Sequence, residues 1–87
     1  MSTALDVLQR RRLRWRARRG LLENDIVLTR FLDRHEAALG AAQVSALGLL
    51  LDLTDNELLD LLLARAELPV DIDNPDTRAL LRQLRTI

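Results

Sequence analysis

The sequence predicts an all-α fold: a compact five-helix bundle forming one small domain over residues 1–87. Three observations predict it. Leu occurs 22 times, whereas Val and Ile together occur seven times. Leu loses little rotamer freedom in a helix, while β-branched residues lose more. No stretch alternates apolar and polar residues as a half-buried strand would. Helix start and stop signals recur along the chain, with no repeat, Pro-rich tract or Ser/Gly linker between them. A chain of 87 residues is one domain. At this size it buries only about 60–65% of its unfolded surface, so modest stability is expected.

The first helix is expected from about Ala4 to Arg18. Leu5, Leu8 and Trp15 share one face, with Arg10, Arg14 and Arg18 on the opposite side. Gly20 is the expected stop, because glycine enters the left-handed conformation without a Cβ clash. The second helix is expected from about Leu22 to Leu39, ending near Gly40. Its broad apolar face is Leu21, Val27, Leu28, Phe31, Leu32, Ala38 and Leu39. Asp25, Thr29, Asp33 and Glu36 form a polar ridge, and Glu23, Ile26 and Arg30 lie together off the main stripe. A third helix follows from about Ala42 to Leu51. The fourth begins at Thr54-Asp55-Asn56-Glu57, a capping-box sequence, and closes at Leu68-Pro69. Residues 70–74 read as a short acidic loop. The fifth begins at Asn74-Pro75, a cap followed by proline in the first turn. It buries Leu80, Leu81, Leu84 and Ile87.

Composition removes whole classes of function. There is no Cys, which excludes a disulfide framework, a thiolate metal site and a cysteine nucleophile. A single His excludes a histidine-rich metal site within one chain. No apolar run reaches the roughly 18 residues of a membrane span. The N-terminus lacks the apolar core of a signal peptide, so a cytoplasmic protein is expected. There is no Gly-rich phosphate loop, no nucleophile elbow and no histidine pair, so no enzyme is expected and no tightly bound cofactor.

The net charge is zero, yet the charges are segregated. Residues 1–22 carry +6, residues 23–40 carry −2 and residues 41–87 carry −4. All 13 basic residues are Arg. The run from Arg10 to Arg19 has the look of an RNA-binding arginine-rich helix, of a transit peptide or of a plain solvated face. The acidic remainder supplies no second basic surface, which argues against nucleic acid as a partner. The run also continues without a break into the segment that follows, which argues against a removable leader. Trp15 is expected in the core, with a partner-facing edge as the alternative. His35 is expected to be a partly buried histidine that donates to a backbone carbonyl.

The most distinctive segment is Arg18-Arg19-Gly20-Leu21-Leu22-Glu23-Asn24-Asp25-Ile26-Val27-Leu28. An Arg-Gly pair at a helix junction has a physical logic. Gly permits a tight turn and close approach of a partner backbone. Arg19 can present a bidentate guanidinium, and Glu23 sits on the first turn of the next helix. A purely structural Arg–Glu pair across a helix hairpin would read the same way.

This segment resembles the RGxxE motif of the SdhE family, also called succinate dehydrogenase assembly factor 2, at Arg19-Gly20-Leu21-Leu22-Glu23. Trp15, Asp25-Ile26, Phe31, the Leu49–Asp60 segment and a final Leu-rich helix fit the same family over nearly the whole chain. The chain departs from it at Leu59 and Leu61, where aromatics are common, and at Ala66, where a Gly is common. The resemblance implies a chaperone that binds the flavoprotein subunit of succinate dehydrogenase or fumarate reductase and promotes covalent attachment of FAD. FAD would then be the partner's cofactor. Carried over by position, Arg19, Gly20 and Glu23 are the contact residues, with Trp15, Arg18 and Asp25 beside them. A monomer is expected in the free state. An antitoxin-like (CptB-type) regulator is the alternative within the same resemblance.

Overall fold

The computed structural model describes residues 7–18 and 21–87. Among these residues the chain forms five α-helices: α1 (Val7–Ala17), α2 (Leu22–His35), α3 (Ala41–Leu51), α4 (Asp55–Leu62) and α5 (Pro75–Arg85). Two single-turn 3₁₀ segments, Glu36–Ala38 and Val70–Ile72, lie before α3 and before α5. The Cα radius of gyration is 12.2 Å, against about 12 Å for a compact chain of this length.

The core is almost entirely leucine. Leu28, Phe31 and Leu32 of α2, Leu47 and Leu50 of α3, Leu58 and Leu61 of α4, and Leu80 and Leu84 of α5 are all buried. Helices α3 and α5 pack side by side, while α2 runs through the centre against α1, α4 and α5. Burying one Leu side chain contributes about 1.5–3 kcal/mol, so this set supplies the main stabilising term without metal or disulfide.

Local chemistry sets the helix ends. At α4 the Thr54 hydroxyl accepts from the Glu57 amide at 3.2 Å, and the Glu57 carboxylate accepts from the Thr54 amide at 3.0 Å. At α5 Asn74 Oδ1 accepts from the Thr77 amide at 2.9 Å, and Thr77 Oγ1 accepts from the Asn74 amide at 3.0 Å. The Thr77 hydroxyl also donates to the Ile72 carbonyl at 2.7 Å, which fixes the 3₁₀ turn onto the helix. Pro75 occupies the first turn as expected. Helix α4 ends in a Schellman arrangement: the Ala64 amide donates to Leu61 O at 3.1 Å and the Arg65 amide to Asp60 O at 2.8 Å. The left-handed residue that this closure requires is Ala64, with φ 57°.

Three expectations are corrected. The second helix stops at His35 rather than Leu39, because the chain tightens into the Glu36–Ala38 3₁₀ turn. Gly40 then serves as the N-cap of α3 with φ −92°, so it opens the third helix rather than closing the second. Its amide donates to the Gln43 side chain at 3.0 Å. The third correction concerns the face of α1. Trp15 is 76% exposed and Leu8 is 55% exposed, so neither belongs to the core. The buried residues of α1 are Leu13 and Ala17, four apart on the side facing α2. Size misled the reading at Trp15: the largest side chain of the helix points outward, and Leu13 and Ala17 form the seam. Arg10 and Arg14, expected on the outer side, face inward because α2 and the following turn present Asp33 and Glu36 to them.

Candidate functional site

The α1–α2 junction carries every residue singled out from the sequence. Arg19 and Gly20 lie outside the described residues, so the expected helix stop at Gly20 does too. What the structure fixes is the frame on both sides of them.

On the upstream side the Arg18 amide donates to Trp15 O at 3.2 Å, closing the last turn of α1. The Arg18 side chain is exposed. Arg16 ties this end of α1 to the end of α3. Its guanidinium donates to Asp52 Oδ1 at 2.7 Å and to the Gly48 carbonyl at 3.3 Å. Trp15, Arg16 and Arg18 border a shallow groove whose other wall is Leu51, Asp52 and Asp55.

On the downstream side Leu21 is the extended N-cap residue of α2, with φ −102° and ψ 115°. Its carbonyl accepts from the Asp25 amide at 3.1 Å. No side chain caps this helix at Leu21. Glu23 and Asp25 stand in the first turn, where their charge suits the positive end of the helix dipole. Glu23 is exposed and Asp25 half-buried.

Asn24, between them, is completely buried. Its Nδ2 donates to the Asp55 carbonyl at 2.9 Å. That bond fixes which way the amide points, since only the NH₂ end can face a carbonyl. Its Oδ1 is buried without a hydrogen-bond partner. Sequence reasoning missed Asn24. The available signal was its position, at the i−4 place from Leu28 on the buried arc of α2.

Arg16 and Asn24 therefore bracket the motif, and both hang on the α3–α4 region, residues 48–55. The site draws on three parts of the chain: the end of α1, the start of α2 and the α3–α4 turn. Two exposed apolar residues add to it. Leu22 is 68% exposed and Ile26 is 41% exposed, one turn apart on the outer face of α2 beside Glu23. They were legible as apolar residues outside the Asn24–Leu28–Phe31–Leu32 arc.

The remaining ion pairs fasten α1 along its length. Arg14 pairs with Asp33 at 2.9 Å and also with Glu36, and Arg10 stands 3.9 Å from Glu36. Desolvation opposes the Arg14 charge, but hydrogen bonds to Asp33 and Glu36 outweigh it and raise its pKa. His35 is half-buried with its ring against Phe31, centroids 5.0 Å apart. Among the described residues no cluster of His, Cys, Asp and Glu could hold a metal ion, and no helix is long and apolar enough to cross a membrane.

This frame can present groups to a partner but assembles no acid–base pair and no nucleophile among the described residues. Comparison with known proteins agrees with a binding role. Residues 11–86 match the family described as Sdh5, flavinator of succinate dehydrogenase. The FAD assembly factor SdhE of Ralstonia nicotianae (strain ATCC BAA-1114 / GMI1000) is 52% identical over 82 residues, covering 94% of this chain and 86% of that protein. No solved structure matches the chain.

Proposed function

The chain belongs to the family of flavinators of succinate dehydrogenase, and from that membership we propose that it is an assembly factor for a flavoprotein subunit. It binds that subunit and promotes covalent attachment of FAD to it. FAD is the partner's cofactor, and the assembly factor is not itself an enzyme. The flavoprotein served is that of succinate dehydrogenase or of fumarate reductase.

The observation that best supports this reading is the bracketed motif. The motif lies in sequence between Arg16 and Asn24, both of which are held on residues 48–55, with Leu22 and Ile26 exposed beside it. An exposed apolar pair next to fixed charged groups is the composition of a contact surface. Gly20 allows the partner backbone to come close. Arg19 reaches polar groups of the partner, and Glu23 orients Arg19 or contacts the partner directly.

The physical role is conformational. Covalent attachment requires the partner's reacting side chain to be held against its bound flavin, and proximity supplies a large part of such a barrier reduction. A protein that binds one domain arrangement of the flavoprotein better than the others shifts the population toward it.

The test is in-gel flavin fluorescence of the flavoprotein in cells whose only copy of the assembly factor carries Glu23→Ala or Gly20→Arg. The covalently flavinylated fraction should fall while the circular dichroism of each purified variant stays that of the wild type. Normal covalent flavin in both strains would overturn the assignment.

A further inference from the structure

We infer that the cavity between α5 and the connection following α4 is a binding site for a carboxylate carried on an apolar body, with Arg82 as its principal contact. The site shares no lining residue with the groove at the α1–α2 junction, and it stands independently of the assembly-factor reading.

The cavity has a volume of about 590 Å³, within the range of pockets that hold small organic ligands. Ala64 and Ala66 form part of its wall, and their short side chains leave the space open. Leu81, which is buried, and Leu68, which is half-buried, supply apolar surface to it.

All three arginines of α5 border this space. Arg78, Arg82 and Arg85 follow at i, i+4 and i+7, so at about 100° per residue they share an arc of about 60° on the helix. Like charges stacked in this way repel, at a cost of about 0.2–0.5 kcal/mol per pair. The negative end of the helix dipole favours cations in the last turn but sets no preference for one side. Two of the three have partners within the chain. Arg78 pairs with Asp73, and Arg85 Nε donates to the Leu61 carbonyl at 2.9 Å, which fixes it against the end of α4. Arg82 is exposed and has no ion pair or hydrogen bond of its side chain among the described residues. Two anchored guanidiniums thus flank a third whose donors are open.

The lining narrows the ligand. A guanidinium fork matches a carboxylate through two parallel hydrogen bonds. Three arginines against the two carboxylates of Glu67 and Asp73 leave the lining with a net charge of +1. That charge balances one carboxylate and not a phosphate dianion. The apolar surface of Leu68, Leu81 and the two alanines suits a hydrocarbon body next to the carboxylate. A small organic acid and the free end of a peptide chain both carry this chemistry.

The experiment follows the backbone amide and arginine Nε–H resonances of the full chain by NMR during additions of hexanoate, hexanamide or inorganic phosphate. A further arm adds a short peptide ending in leucine, with its carboxyl free or amidated. Hexanoate should shift the Arg82 Nε–H and the amides of residues 64–68, saturating at about millimolar concentrations. Hexanamide and the amidated peptide should leave them in place. Arg82→Ala should weaken binding roughly tenfold or more, the effect of removing a charge-assisted hydrogen-bond partner. Ala66→Leu, which fills the space, should abolish it. Both positions are exposed, so the circular dichroism of each variant should match that of the wild type. Tighter binding of the free-ended peptide than of hexanoate would identify a chain end as the source, and the reverse order a free acid. The absence of saturable shifts with either carboxylate, or wild-type affinity in both variants, would overturn the inference. Phosphate binding as tight as that of hexanoate would overturn it too, as would equal shifts from hexanamide.

Discussion

At the scale of single residues, Ala64 stands out because it occupies a position that L-residues avoid. Its φ of 57° closes the end of α4, and the left-handed conformation costs a non-glycine residue about 1–2 kcal/mol. Glycine would remove that cost and give back about half of it through a more flexible unfolded chain. Ala64→Gly should therefore stabilise the protein by about 0.5–1 kcal/mol, seen as a rise in Tm of roughly 2–8 °C. Glu57 offers a pH-dependent counterpart. Its carboxyl is held below the ordinary 4.5 by the hydrogen bond from the Thr54 amide, and secondarily by the Thr54 side chain. A depressed carboxyl contributes stability above its unfolded pKa and loses it as pH falls through the folded one. Urea unfolding of the wild type and Glu57→Gln should show the wild type ahead at pH 7 and the gap narrower at pH 3. A gap of equal size at both pH values would mean that the cap contributes nothing through ionisation.

Between elements, the frame of the motif depends on two attachments of unequal strength. The Arg16–Asp52 pair is exposed on both sides, 45% and 72%, and exposed pairs contribute at most about 1 kcal/mol. Asn24 is wholly buried, and its bond to the Asp55 carbonyl is shielded from water. Truncating Asn24 removes a shielded hydrogen bond, worth about 0.5–1.5 kcal/mol, and leaves a cavity where the buried amide stood. Asn24→Ala should thus lower the urea midpoint clearly, while Arg16→Ala should lower it little. The flavinylated fraction should fall with Asn24→Ala even at temperatures where that variant remains folded. Full flavinylation in the folded variant would show that the start of α2 needs no such attachment. The helices themselves were legible at this scale because their caps are short-range chemistry. Thr54 with Glu57 and Asn74 with Thr77 satisfy amides within four residues, so the local sequence suffices to place the starts of α4 and α5, whereas α4, expected to close at Leu68-Pro69, ends at Leu62.

Over the whole molecule, legibility falls off wherever long-range partners decide. The five helices and the leucine core follow from composition and periodicity. The orientation of α1 does not, because it is set by packing of Leu13 and Ala17 on α2 together with the carboxylates that α2 and the following turn offer to Arg10 and Arg14. Trp15, read as core from its size, is exposed for the same reason. The burial of Asn24 had a signal in its place on the buried arc of α2, but its hydrogen bond did not, since the partner lies 31 residues away. The charge asymmetry was visible from the outset, but the pairing of Arg10, Arg14 and Arg16 with Glu36, Asp33 and Asp52 is a property of the packed helices.

The attachment of Arg16 and Asn24 to neighbouring parts of one turn also limits how the chain can vary. Seven residues separate these two positions, and each flank has its own hold, Arg16 on Gly48 and Asp52 and Asn24 on Asp55. Both holds lie outside the motif, so exchanging a motif side chain leaves them in place, whereas an inserted or deleted residue changes the spacing they are matched to. This stretch should therefore admit substitution more readily than insertion or deletion.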